Sequence, residues 1–479
     1  MEILLNYLSN WGLKSDNPWD VFAFIFTHGG FILVFWVLIT GFMLVWLEWR
    51  QGKFSSQLKW VYLAIDVPRN NEQSPKAVEQ IFNQLWGIIK GPTFVEKWLD
   101  GYGQVNYSLE LVSIDGYVQF VIRCLAGVRD VVEAAIYAQY PEAQITEIED
   151  YAKNFTPDNF KELGYDLWGA QIGIIKDEMY PIRTYPVFEH AITKTKESIG
   201  IIDPLAALLE IFSRFNKGEQ GWLQITIRPV DDSWKEKCLK EVQKIIGAPT
   251  KPPAPGLVDQ LLDMPVSAVS KFADQMFIPA SVKSDEKKQD VPSKMLYLSP
   301  GERQTVEAID NKATKTGFKA KIRYIYLYKK EVGNKSKGVS GVMGALKQFS
   351  ALNSNGFKPL GPTVTNSNLI FKSLREKKKL ELQRKILKSY KSRSSGSGIS
   401  EKGYFILNTE ELATLYHFPY KGVAGTSVKA VSAKRAEAPY TLPYDEEKEE
   451  TKSNSAPTVN KADNLGVADK LSAPDNLPM

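Results

Sequence analysis

"NYSLELVSIDGYVQFVIRCLAG", residues 106–127, decides the fold. Two runs alternate between apolar and polar residues and meet at Asp115-Gly116, a dipeptide suited to the positive φ angles of a two-residue hairpin. Upstream, "KWVYLAIDVP" (59–68) alternates like a strand, and "SPKAVEQIFNQLWGII" (74–89) places Ser74 at an N-cap and Pro75 at N1 before apolar residues recur at helical spacing. Downstream, "VRDVVEAAIYAQYP" (128–141) predicts a second helix and "AQITEIED" (143–150) a last strand. The order βαββαβ is the ferredoxin-like pattern, and predicts a first domain over residues 57–152.

A looser version follows. "DLWGAQIGIIK" (166–176) predicts a strand, "DPLAALLEIFSRF" (203–215) a helix with an Asp cap and Pro at N1, "GWLQITIRPV" (221–230) a strand, and "SWKEKCLKEVQKIIG" (233–247) a helix closed by Gly247. The pattern then breaks. Residues 248–294 begin "APTKPPAPG" and end "KSDEKKQDVPSK", which predicts a largely flexible insertion around one amphipathic piece, "LVDQLLDMPVSAVSKF". Beyond it come a helix from Pro300 and the strand "FKAKIRYIYLYKK" (318–330), so a second α+β domain spans 160–247 and 295–370.

From Val21 to Leu47 no residue is formally charged, and "FILVFWVLITGFMLVWL" (31–47) is almost wholly apolar. A helix crossing a bilayer needs about 20 such residues, so one transmembrane helix is expected over 28–49, anchored by Phe31, Trp36, Trp46, Trp49 and Arg50. Asp16 and Asp20 before the run, and "VWLEWR" at its end, do not suit a signal peptide. Arg50, Lys53 and Lys59 follow the run and only Lys14 precedes it, which puts the following domains in the cytoplasm and leaves 1–27 as a short outer segment. The expected architecture is thus α+β: a single N-terminal transmembrane helix at the plasma membrane, then two ferredoxin-like cytoplasmic units with a flexible insertion, a basic helix and a disordered tail.

The sequence singles out no catalytic, cofactor-binding or metal-ligating residue. With 479 residues, 43% of them apolar, the chain can build real cores, and a net charge of +5 is too small to settle its partners. Cys124 and Cys238 lie far apart and outside any CxxC, against a disulfide framework or a zinc site. A P-loop needs GxxxxGK[ST] so that backbone amides and a lysine can hold phosphates. "GFKPLGPT" (356–363) has Pro362 where the lysine belongs, and "GVAGTSVK" (422–429) has the wrong spacing. The three histidines, His28, His190 and His417, fall in no nucleophile constellation and read as interfacial, surface or packing residues.

"FKSLREKKKLELQRKILKSYKSRS" (371–394) is a basic amphipathic helix whose candidate binding surface is Arg375, Lys377, Lys378, Lys379, Arg384, Lys385 and Lys388. Nucleic-acid phosphates, an anionic leaflet and an acidic partner all suit it, as does a plain solvated helix packed by its apolar stripe. In the closing segment, 403–443, "NTEELATLYHFP" (408–419) reads as a helix capped by Asn408 and Glu411 and stopped by Pro419. Residues 444–479 are polar and poor in large apolar residues, which predicts disorder.

The apolar run, "YLAIDVPRNNEQSPKAVEQIFNQL" (62–85) and "ILNTEELATLYHFP" (406–419) together resemble the region ahead of the ATPase domain in membrane-linked type IV secretion ATPases. These are the TraC and VirB-four kind of the HerA/FtsK superfamily, as found fused in many candidate-phyla-radiation bacteria. The resemblance covers residues 20–443 and implies that "ELATLYHFP" and the strand "APYTLP" (438–443) lead into a motor. No Walker residues follow, so the expectation is a non-enzymatic membrane-anchored scaffold that tethers or caps a separate ATPase. Glu411, Leu412, Leu415, Tyr416 and His417 are then the candidate motor-docking segment, and a ring of copies is implied by the ring form of such motors. The alternative is a membrane-tethered nucleic-acid-binding protein acting through 371–394.

Overall fold

Among the described elements, helix α1 (Phe31–Gln57) is followed by β1 (Trp60–Asp66), α2 (Pro75–Trp86), β2 (Tyr107–Ile114), β3 (Tyr117–Leu125), α3 (Arg129–Gln139) and β4 (Gln144–Ile148). A second set follows: β5 (Tyr165–Ile174), α4 (Tyr185–Glu189), α5 (Ala206–Ser213), β6 (Glu219–Pro229), α6 (Ser233–Ile245), α7 (Pro300–Ala313), β7 (Gly317–Lys329), α8 (Val342–Lys347) and β8 (Phe357–Pro359). Helix α9 (Lys372–Ser392), β9 (Phe405–Asn408) and α10 (Thr409–Leu415) close it. The computed structural model describes residues 31–68, 71–104, 106–189, 203–247, 298–366, 370–393 and 403–419, with Trp19, Asp20, Ala23 and Phe26. The expected outer segment (apart from those four residues), insertion 248–294, strand 438–443 and tail 444–479 lie outside them, as do His28 and His190.

Local chemistry explains the elements. Asp115 and Gly116 take φ angles of 55° and 85° and close the β2–β3 hairpin. Gly116 also has no room for a side chain, since a Cβ there would lie 2.7 Å from the Phe215 carbonyl oxygen. Ser74 caps α2 with Pro75 behind it, and Ser299 and Glu302 form a full capping box on α7.

Among the described residues all strands join one nine-stranded sheet in the order β4-β1-β3-β2-β6-β7-β5-β8, with β9 also on β7. Each half, β4-β1-β3-β2 and β8-β5-β7-β6, has the strand order of a ferredoxin-like unit. The halves are not separate domains. Equivalent strands β2 and β6 pair antiparallel from Tyr107↔Ile227 to Ile114↔Gln220, so a pseudo-two-fold axis passes between the pairs Glu110↔Gln224 and Leu111↔Leu223. Each unit thereby covers the other's exposed edge. Helices α6 and α7 are inserted in what would be the β6–β7 hairpin.

One sheet face, bearing Leu109, Leu111, Phe120, Ile122, Ile225 and Tyr324, packs with α2, α3, α5, α8 and α10. The opposite face, bearing Val112, Val121, Trp222, Ile325 and Leu327, is covered by Ile386, Leu387 and Tyr390 of α9 and by Phe155 and Phe160 between β4 and β5. Gly169 on β5 permits this close approach, because a Cβ there would lie 3.1 Å from Ile386.

The expected transmembrane helix is corrected. Residues 31–47 are helical, but the helix carries on through Glu48, Arg50 and Lys53 to Gln57. Among the described residues no helix is long and apolar enough to cross a membrane. The fold is therefore α+β, helices on a mixed-length antiparallel sheet, without the predicted single span over 28–49.

Candidate interaction surfaces

Helix α9 is bound down more tightly than its charge suggests. Its buried stripe is Gln383, Ile386, Leu387 and Tyr390. Lys379 Nζ lies 2.8 Å from Asp166 Oδ2, while Gln383 Nε2 donates to Asp166 Oδ1 at 2.8 Å. Burial pushes the Asp166 carboxyl up, but hydrogen bonds from Lys379 and Gln383 and the lysine's charge outweigh it and hold the group down to about 2. Lys378 and Lys385 both reach Glu381, at 3.0 and 2.5 Å, and Arg384 lies 3.3 Å from Asp158. Of the expected binding surface, only Arg375, Lys377 and Lys388 are exposed with no ion pair among the described residues.

The helix ends in a buried polar network that sequence reasoning missed. Arg393, left-handed at φ 45°, sits fully inside and donates from Nε to Glu110 Oε1 at 2.8 Å. Its Nη1 and Nη2 donate to the two Asp150 oxygens at 2.9 and 2.8 Å. Glu110 also accepts from Ser108 Oγ (2.6 Å), Tyr151 OH (2.7 Å) and Gln224 Nε2 (3.1 Å). Burial alone would raise the Glu110 carboxyl, and the Arg393 guanidinium overrides it and keeps the group below its ordinary range. The available signal was Glu110 itself, a lone acid on a strand buried on both faces.

The expected docking segment is interior. Asn408 and Glu411 do form the capping box, yet Glu411 is wholly buried and pairs with the equally buried Lys312 at 3.0 Å. Glu411 Oε1 also accepts from the Ile182 amide at 2.9 Å. Leu412, Leu415 and Tyr416 are core residues; Tyr416 packs edge-on against Phe120 and donates to the Val121 carbonyl at 3.2 Å. His417 Nδ1 donates to the Ala413 carbonyl at 2.8 Å, with Nε2 bonded to Asp203 at 2.9 Å. A partner cannot reach these five side chains without opening the body. Helix α10 instead ties the two halves together: Lys315 bridges Glu79 of α2 and Glu410 at 2.7 and 2.5 Å, and Asn71 donates to the Pro419 carbonyl at 3.0 Å.

Two clefts remain. One of about 700 Å³ lies between α7, residues 181–187 and the start of α10, with Val187, Thr305, Asn311 and Lys315 in its wall, but Lys315 is already held by its two carboxylates. The other, about 610 Å³, lies between the first turns of α9 and residues 335–340, with Trp168, Lys335, Arg375 and Glu376 around it. Among the described residues no group of three or more His, Cys, Asp or Glu could hold a metal ion. Cys124 and Cys238 are buried free thiols, pushed up by burial to about 12 and about 11.

No protein-family model and no curated protein matches the chain.

The largest exposed apolar feature is α1. It is apolar around its circumference, with Ile32, Phe35, Trp36, Leu38, Phe42, Leu44 and Val45 all exposed. Of the expected anchor residues, Phe31, Trp36, Trp46 and Trp49 are exposed, and Arg50 is half-buried. Together the apolar side chains make a continuous exposed apolar surface, unlike apolar residues scattered singly.

Proposed function

We propose that the protein is a non-enzymatic assembly subunit attached to a lipid surface, a scaffold that holds a separate P-loop ATPase of a type IV secretion or conjugation-like transfer machine. The observation that carries the first part is α1, whose apolar side chains from Phe31 to Trp49 are largely exposed. Arg50, Lys53 and Lys59 at its C-terminal end suit the anionic cytoplasmic leaflet of the plasma membrane. The second part rests on the resemblance of residues 62–85 and 406–419 to the region ahead of such motors. Because α10 is interior, the motor's contact is with the outer surface of the body and not with the face of 411–417.

Purification after cross-linking from native membranes tests the reading. It should bring down a P-loop ATPase encoded by another gene, and a preparation containing the protein but no such ATPase overturns the motor assignment. The nucleic-acid alternative has less support, because Lys378, Lys379, Arg384 and Lys385 of its expected surface are ion-paired within the protein.

A further inference from the structure

We propose that the turn Phe94–Leu99 is a second lipid contact, seated at the headgroup boundary beside α1. This rests on the reading of α1 as the lipid-attached element and adds to it a site on the body itself. The turn contains one π-helical loop, Glu96–Asp100, closed by Gly101. It displays Phe94, Val95 and Leu99 at 71%, 54% and 54% exposure, three large apolar side chains within six residues. Among the described residues none of the three belongs to a hydrophobic core cluster, so packing there gives no reason for apolar residues here.

The turn is fixed along the C-terminal half of α1. Trp46 Nε1 donates to the Trp98 carbonyl at 3.0 Å, and the Phe54 and Tyr102 rings lie 5.6 Å apart. Gly101 has φ 74°, and a Cβ there would lie 2.4 Å from the Arg50 carbonyl, so only glycine allows this approach. These contacts cover the stretch in which the apolar run of α1 gives way to Glu48, Arg50 and Lys53.

Residues of the kind found at a membrane interface collect there. The Trp46 and Trp49 rings are 5.4 Å apart, Phe94 lies 6.0 Å from Trp98, and Lys97 Nζ sits 5.9 Å from the Trp98 ring centre. Tryptophan belts mark the headgroup level, and lysines there lay their stems on apolar surface while the ammonium reaches phosphate. Lys53 lies over the Trp49 ring in the same way, whereas Lys90, over the Tyr102 ring, is paired with Glu96 at 2.5 Å. The patch is continuous with the exposed apolar side chains of α1, so a lipid surface that takes up α1 also meets Phe94, Val95 and Leu99.

The test uses the full chain carrying Phe94→Cys, labelled with an environment-sensitive fluorophore, and a second chain labelled at Leu352→Cys, a position 95% exposed on the body. The native thiols are buried and do not compete for the label. With mixed phosphatidylcholine and phosphatidylglycerol vesicles, the label at 94 should shift to the blue and brighten several-fold while the label at 352 stays unchanged. Chains that float with the vesicles but give the same response at 94 and 352 overturn the proposal and leave the reading of α1 standing. Chains that do not float overturn both.

Discussion

Lys312 and Glu411 stand 3.0 Å apart, both shut away from solvent, and join α7 to α10 across the body. Lys312 Nζ also donates to the carbonyls of Glu178 and Ile406 at 2.7 and 2.9 Å, so the cation is fully engaged. Glu411→Ala leaves that charge buried without its counter-ion and should cost about 3–5 kcal/mol. The double replacement Lys312→Met with Glu411→Leu should recover much of the loss. Urea denaturation midpoints of the two variants check this, and equal midpoints contradict it.

Arg393 does for α9 what Lys312 does for α10. Arg393→Leu strands Glu110 and Asp150 and should lower stability by about 3–5 kcal/mol. Lys377→Glu, on the exposed side of the same helix, should change it by less than about 0.5 kcal/mol. Thermal melts of the two variants separate a helix held by packing and buried ion pairs from one whose charge is free for a ligand.

Asp166 gives a pH dependence with a defined sign. Its folded-state carboxyl is held down to about 2 against an unfolded value of about 3.9. Its stabilisation is therefore complete above about pH 4 and is lost as pH falls towards 2. Asp166→Asn should be less stable at neutral pH and should show a shallower fall in Tm across that window. Parallel slopes for both proteins would contradict the assignment.

The thiols should be silent in the native state. Cys124 and Cys238 are buried and pushed up to about 12 and about 11, so at pH 8 almost none is thiolate. Iodoacetamide at that pH should modify neither until denaturant is added. Rapid modification of either in the native protein would show that its part of the core opens.

Much of this architecture is legible in short-range chemistry. The Asp115-Gly116 turn, the Ser74-Pro75 start of α2 and the alternation in "FKAKIRYIYLYKK" each dictate one element, and the elements form where those signals stand. Alternation says which face a strand buries but not which strand lies beside it, so the β2–β6 pairing that merges the halves was not legible. The capping role of Glu411 was readable from its distance to Asn408, while its burial depended on Lys312, remote in sequence. In the same way the basic run announced α9, but the carboxylates that engage it, Asp158, Asp166 and Glu381, come in part from elsewhere in the chain. Composition of the apolar run predicted its helix, but among the described residues that helix is not long and apolar enough to cross a membrane.

Vesicle flotation tests the central claim, that α1 attaches this body to lipid, most directly. The full chain is mixed with phosphatidylcholine and phosphatidylglycerol vesicles and centrifuged through a density step, beside a variant in which Phe35, Leu38, Phe42 and Val45, all exposed on α1, are replaced by serine. The account predicts that the native chain rises with the vesicles while the variant, with the same melting temperature, stays below. A native chain that remains at the bottom of the gradient, or a variant that floats equally well, would contradict it.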